Sequence, residues 1–376
     1  MSAVPAPGVT GLATVTTGHL LEVRDLRVEF RGRGGTARAL NGVSYHVDPG
    51  ETLAVLGESG SGKSVTALTI MGILDSPPAR VTGGEIRYRG RDLLALPEPE
   101  RRRVRGKEIA MIFQDALSAL NPVFTVGYQI AENLRTREGM SRADATTRAV
   151  ELMDLVRIPG ARDRIRQYPH QFSGGMRQRV MIAMALAQQP KVLIADEPTT
   201  ALDVTVQAQI MDLLADLRRE FGMALILITH DMGVVADVAD RIAVMYAGRI
   251  VEHAGVHDLY RAPAHPYTRG LLDSIPRLDA KGGDLATIPG LPPSLTAIPA
   301  GCAFHPRCPY IRPVCRETVP PEVRLGVDLS NHFGAPPRGG AHPGSTAGAA
   351  RHPGVPAPAR YAACHLAQEV LDGRLG

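Results

Sequence analysis

Lys63 and Ser64, set directly behind Gly57, Gly60 and Gly62, are the residues of this chain best suited to chemistry. The stretch Gly57-Glu58-Ser59-Gly60-Ser61-Gly62-Lys63-Ser64 fits the pattern G-x-x-x-x-G-K-[ST] at every fixed position. Its glycines let successive backbone N–H groups turn inward and form a concave anion nest. Lys63 is then placed to reach the β- and γ-phosphates of a nucleotide, and the Ser64 hydroxyl to ligate Mg²⁺. A Gly-rich turn without a ligand is the competing reading.

Two further groups of residues fit the same chemistry. Lys191-Val192-Leu193-Ile194-Ala195-Asp196-Glu197 is an apolar run ending in two acids. Asp196 suits Mg²⁺ through its water shell, which leaves Glu197 free to polarise an attacking water. Paired acids after a strand also occur in plain surface turns, and the phosphate loop upstream is what gives them meaning. Ser173-Gly174-Gly175 stands ahead of a helical stretch from Arg179 to Gln188, so it reads as a second anion-binding helix start. One chain thus offers two phosphate-cradling helix starts and one Lys-bearing loop. Two copies facing head-to-tail would set the Ser-Gly-Gly of one against the nucleotide held by the other.

The elements that must position these groups follow from apolar patterning. Thr52 to Leu56 reads as a buried strand entering the loop, and Ser64 to Met71 has helical spacing. Residues 20 to about 258 alternate strand-like and helical runs, predicting a mostly parallel α/β sheet covered by helices. Between about 115 and 172 no buried strand is legible. There Ala149, Leu152, Met153 and Val156 share a helix face, predicting a small helical subdomain. From 259 to 376 the chain turns rich in Pro, Gly and Cys, with a loop or disordered insertion over about 326–360.

Composition narrows the class. With 376 residues, 44% hydrophobic and 21% charged, the chain reads as a soluble globular protein of one large domain and an appendage. A net charge of +4 and the lone basic run Arg101-Arg102-Arg103 give no nucleic-acid footprint. No apolar run approaches a bilayer span; Ala224 to Ile228 is a buried strand. Residues 1–19 have no signal-peptide pattern and read as a disordered tail, so the chain is expected in the cytoplasm.

Taken together, the motifs resemble an ABC-type ATPase domain, with a P-loop NTPase (RecA-like) core and a helical subdomain. Walker A is Gly57–Ser64, a Q-loop glutamine is Gln114, the signature is Ser173-Gly174-Gly175 and Walker B is Val192–Asp196. Glu197 is the catalytic-type acid, Ala201-Leu202-Asp203 the D-loop and His230 the switch histidine. Met176 stands where the wider superfamily usually has Gln. The resemblance implies that Phe30 stacks on adenine and that Thr66 belongs with Gly57, Ser59, Gly60, Ser61, Gly62, Lys63 and Ser64 in the ATP site. It implies that Gln114 touches Mg²⁺ or the lytic water, that His230 contacts the γ-phosphate, and that Asp203 crosses a dimer interface.

The C-terminal part is similar to the ATPase subunits of oligopeptide/dipeptide and nickel importers. The resemblance lies in His265 to Leu272, Ile288 to Pro293 and Gly301 to Pro309, with Phe172 to Leu186 alongside. It implies a cytoplasmic-face subunit that works with a second, related ATPase as a heterodimer, two membrane permeases and an extracytoplasmic solute-binding protein. Peptide, nickel and other small solutes stay open as cargo. A soluble ABC ATPase acting on DNA or ribosomes is a distant alternative that lacks the second cassette or basic arms expected of it.

Cys302, Cys308, Cys315 and Cys364 are four soft thiols in a chain expected in the cytoplasm, where structural disulfides are disfavoured. They fit zinc or an iron–sulfur cluster, and their spacing is wider than paired C-x₂-C zinc knuckles. The importer resemblance implies a [4Fe–4S] cluster, with zinc or free cysteines as alternatives. Either metal would staple a region poor in large apolar residues.

Overall fold

The computed structural model describes residues 18–275, 287–325 and 360–375. Most of the expected N-terminal tail, and the insertion as far as residue 359, lie outside the described residues.

The chain opens with two long strands, β1 (Leu21–Gly32) and β2 (Gly35–Val47), followed by β3 (Thr52–Leu56), β4 (Ala79–Tyr88) and β5 (Arg91–Asp92). Five more strands come between helices: β6 (Ile109–Ile112), β7 (Val192–Asp196), β8 (Ala224–Thr229), β9 (Arg241–Tyr246) and β10 (Arg249–Gly255). The short β11 (Val323–Leu325) and β12 (Arg360–Ala362) end the series. The main sheet runs β11-β12-β10-β9-β3-β8-β7-β6. Its inner strands β9, β3, β8, β7 and β6 are parallel, while β10, β12 and β11 join antiparallel. β3, β7 and β8 are buried along their whole length, as strands covered on both faces must be. In β3, Leu53, Val55 and Leu56 are at most 1% exposed, each worth about 1.5–3 kcal/mol of burial.

The expected single, mostly parallel sheet is only part of the architecture. β2, β1, β4 and β5 form a second, wholly antiparallel sheet. Its apolar residues alternate, with Leu21, Val23, Leu26 and Val28 of β1 buried and Arg24, Asp25 and Arg27 exposed. That is the pattern of a sheet with one face on the core, and it distinguishes these strands from the α/β run that follows.

The helices are α1 (Lys63–Met71), α2 (Glu98–Val104), α3 (Ala116–Ala119), α4 (Val126–Glu138), α5 (Arg142–Leu155), α6 (Ala161–Arg164) and α7 (Gly174–Leu186). Beyond them come α8 (Val204–Phe221), α9 (Met232–Val238), α10 (Val256–Arg261), α11 (Pro266–Asp273), α12 (Pro313–Glu317) and α13 (Ala367–Leu371). The segment 115–172 is helical, holding α3 to α6 and no strand among the described residues. Thr125 and Ser141 start α4 and α5 by accepting from the Tyr128 and Asp144 amides. Ala149, Leu152, Met153 and Val156 are all buried, on the shared face that their spacing predicted.

Two expected boundaries fall within regular elements. Residue 258 lies in α10. Residue 360, placed within the insertion, is the first residue of β12. Arg360 is buried there and its guanidinium meets the Glu252 carboxylate of β10 at 3.2 Å. That ion pair and the pairing of β12 with β10 and β11 make the C-terminal segment part of the main sheet.

Candidate functional site

The parallel strands β6, β7, β8 and β3 are neighbours, and each ends in residues with chemistry. β3 leads into Gly57–Ser64, β7 ends at Asp196 and Glu197, β8 leads to His230, and Gln114 follows β6. Ligands of open α/β sheets bind at such carboxyl edges.

Gly57 passes so close to β9 that a Cβ there would sit 2.2 Å from the Met245 carbonyl oxygen. Only glycine lets the loop turn at that point. Lys63 is 5% exposed, and its Nζ donates to the carbonyls of Gly57 at 2.7 Å and Glu58 at 3.0 Å. The ammonium therefore spans the loop with a third proton to spare. Burial lowers its pKa, while Glu197, Asp196 and Glu58 pull the other way. The Ser61 hydroxyl is buried with no hydrogen-bond partner among the described residues. An unpartnered buried hydroxyl and a desolvated cation in one loop fit a phosphate. Ser59 and Gly60 are exposed at the loop's rim. Thr66 differs from its neighbours: its buried hydroxyl donates to the Gly62 carbonyl at 3.0 Å and is spent inside the helix.

Ser64 Oγ donates to Asp196 Oδ1 at 3.0 Å. Burial is the largest influence on Asp196 and raises its pKa, against the opposing pull of Ser64 and Lys63. A buried carboxylate beside a hydroxyl is an oxygen donor set that Mg²⁺ would relieve, so these residues fit the ion. Glu197 follows in the left-handed region, at φ 45°, with its amide held by the Ile228 carbonyl at 2.8 Å. Its Oε2 accepts from Gln114 Nε2 and Thr200 Oγ1, both at 2.9 Å, and its Oε1 lies 3.3 Å from His230 Nδ1. Thr200 was not anticipated; its place three residues after the acid was the only available clue.

Ser173 accepts from the Met176 amide at 3.4 Å and starts α7 at Gly174, five residues earlier than the helical spacing from Arg179 suggested. Asp203 likewise starts α8, accepting from the Val206 amide at 2.9 Å. The two helix starts abut. A Cβ on Gly175 would lie 2.6 Å from Val206 Cγ1, and one on Gly174 would lie 3.5 Å from Leu202 Cδ2. The hydrogen bonds of Ser173 and Asp203 stay within their own helices. Phe30 sits on β1 of the antiparallel sheet, half-buried against that sheet's core.

The four cysteines converge although Cys364 is remote in sequence. β12 returns the chain alongside β10 and β11 just ahead of it. Cys302 N donates to the Cys315 carbonyl at 2.9 Å, and the thiols are mutually close enough that Cys364 feels the other three. Burial pushes Cys308 up to about 11 and Cys364 up to about 12. No three cysteine sulfurs lie within 4.8 Å of one another among the described residues. Two buried thiols, Cys315 and Cys364, and two half-buried ones, Cys302 and Cys308, make a soft donor set of the kind thiophilic metals take.

A family model described as ABC transporter matches residues 40–200, and one described as the oligopeptide/dipeptide transporter C-terminal region matches residues 251–315. The oligopeptide transport ATP-binding protein OppD of Salmonella typhimurium is 53% identical over 304 residues, covering 81% of this chain and 90% of the relative. The dipeptide transport ATP-binding protein DppD of Bacillus subtilis is 52% identical, covering 80% of this chain and 90% of the relative. The chain belongs to the ATP-binding subunits of ABC transporters, in their oligopeptide/dipeptide group.

Among solved structures, the ATP-binding cassette MJ0796, a dimer in a post-hydrolysis state with ADP and Pi, superposes with a TM-score of 0.56 at 30% identity. It covers 63% of this chain and 98% of that one. The P-loop α/β fold expected from the motifs is the fold of this ABC ATPase. No described helix of the ATPase is long and apolar enough to cross a membrane. The family match ends at residue 315, ahead of Cys364. A contact that the motif reading missed joins that region to the nucleotide loop: Arg307 donates to Glu58 Oε2 at 2.7 Å and to Oε1 at 2.9 Å.

Proposed function

We propose that this chain powers the import of oligopeptides or dipeptides, hydrolysing ATP at an interface formed with a second ATPase subunit. The observation that carries the hydrolytic role is the placement of Glu197. Its carboxylate is gripped by Gln114 and Thr200 and faces His230, one residue beyond the Asp196–Ser64 pair. In this reading Lys63 and the loop amides hold the phosphates, and Ser64, Asp196 and Gln114 hold Mg²⁺. The bound ion supplies neutralisation of the charge developing on the transferring phosphoryl group. Glu197 takes a proton from the attacking water, and His230 orients that water against the γ-phosphate. Ser173, Gly174, Gly175 and Asp203 serve the nucleotide of the opposing subunit, a role supported by hydrogen bonds that never turn back to their own loop. Phe30 contacts adenine, and Thr66 shapes the loop from within α1.

Two permeases and a solute-binding protein complete the transporter, with this subunit on the cytoplasmic face. Exposed apolar side chains between residues 113 and 128, Phe113, Leu117, Val123 and the stacked Phe124 and Tyr128, support docking on a permease. Residues 20–258 form the ATPase body, and the remainder is a lobe of the importer type. Cys302, Cys308, Cys315 and Cys364 hold a [4Fe–4S] cluster that staples this lobe. Protein purified without air should contain about four irons per chain; iron-free protein with the same stability would remove the cluster. Glu197→Gln should cut turnover at least about 100-fold while ATP binding persists. Near-normal turnover would overturn the hydrolytic assignment.

A further inference from the structure

Arg307 is 7% exposed, and both ends of its guanidinium meet the Glu58 carboxylate. Glu58 is the residue after Gly57, the first of the phosphate loop, while Arg307 lies 249 residues further along the chain. The guanidinium also donates through Nε to the Pro289 carbonyl at 2.9 Å and lies over the Tyr246 ring, 5.9 Å from its centre. The Glu58 amide donates to the Tyr267 hydroxyl at 2.9 Å, so side chain and backbone of one loop residue are both held from beyond residue 258. Arg307 belongs to the short turn between Cys302 and Cys308.

A carboxylate beside a phosphate nest is a liability. Left free, it would compete for Lys63 and repel the incoming phosphates. A bidentate guanidinium removes both problems, because it neutralises the charge and fixes its direction. We infer that Arg307 is a positioning residue for nucleotide binding, holding Glu58 from the Cys-bearing lobe so that the first turn of the phosphate loop keeps the shape that admits MgATP. This rests on the ATPase reading above and goes beyond it, since it makes the lobe part of the nucleotide site of its own chain. The turn that carries Arg307 also carries two of the four thiols, so the backbone that gathers the cysteines and the backbone that shapes the loop are one.

The test is a double-mutant cycle on the full chain, with Arg307→Gln, Glu58→Gln and both together. Dissociation constants are read by titrating a fluorescent ATP analogue with Mg²⁺, and KM and kcat are read in the assembled transporter. Arg307→Gln should weaken binding about tenfold or more and raise KM, with kcat changed less than about twofold. In the Glu58→Gln background the same change should cost under about twofold, because the carboxylate it restrains is gone. Arg307→Lys, which keeps the charge but loses the fork, should fall between. Should Arg307→Gln not fold, Arg307→Lys carries the cycle: it must raise KM in the otherwise unmodified chain and change it less than about twofold in the Glu58→Gln background. Equal loss in both backgrounds, or a lowered unfolding temperature with unchanged affinity, would reduce Arg307 to a structural role. If the unmodified chain binds no MgATP, the ATPase reading itself falls, a result distinct from either.

Discussion

Gly175 is the point where the Ser-Gly-Gly helix start and the D-loop helix start constrain each other. Replacing it with alanine puts a methyl group 2.6 Å from Val206 Cγ1, most of an ångström inside ordinary contact. Val206 is β-branched and sits in α8, so it has essentially one rotamer and cannot swing aside. The backbone must move instead. Overpacking of this kind costs about 1–3 kcal/mol, and the better helix propensity of alanine returns at most about 1 kcal/mol. The expected net loss is about 1–2 kcal/mol, or roughly 1–3 °C in the unfolding temperature of a chain of 376 residues. Gly174→Ala is the internal control, since its methyl would sit at an ordinary 3.5 Å from Leu202 Cδ2 and should leave the unfolding temperature within about 1 °C. Adding Val206→Ala to Gly175→Ala should recover at least about 0.5 kcal/mol, a positive coupling between the two sites. Thermal unfolding of the nucleotide-free chain reads the wild type, the three single variants and the double variant. Wild-type stability in Gly175→Ala, or a Val206→Ala effect that simply adds, would refute the packing argument.

The buried pair in the main sheet gives a second expectation. Glu252 is 1% exposed and accepts from the amides of Ala264 and His265 as well as from Arg360, so Arg360→Met should cost about 3–5 kcal/mol in urea unfolding. Making Glu252→Gln as well should restore much of that loss; a loss under about 1 kcal/mol in the single variant would mean the pair is solvated. His265 gives a third. Its ring is fully buried and its pKa is pushed down from 6.5 to about 3, so the folded chain refuses a proton that the unfolded chain accepts. Stability should therefore be intact above pH 6.5 and decline as pH falls from there toward 3. His265→Asn keeps the cap on the Tyr267 amide and removes the titrating group, making the decline shallower by up to about 1.4 kcal/mol per pH unit. Parallel stability–pH curves for the two proteins would sink that account.

Chemistry at the ends of short buried strands was readable from the chain because one local signal sufficed. Four apolar residues in a row followed by Gly57, or by Asp196 and Glu197, define both a strand and what it presents. Ser173 was readable too, as a capping residue before glycines. What escaped depended on partners distant in sequence or on direction within a helix. The hydroxyl of Thr66 points back to Gly62, which no motif encodes. The antiparallel sheet carrying Phe30 is marked by alternation, a weaker pattern beside longer apolar runs. The reason Gly175 tolerates no side chain lies in α8, and the partner of Glu58 lies in the lobe. Arg360 reads as the end of a Pro- and Gly-rich stretch until Glu252 is placed beside it.

β11 and β12 are paired neighbours, with Leu325 opposite Arg360, although 34 residues separate them in the chain. Both ends of the intervening segment are thus anchored by the sheet, whatever its length. The sheet therefore fixes where Cys364 lies: two residues past β12, it is delivered to the other cysteines by strand pairing with Leu325 and Glu252 rather than by the route of the chain between the strands.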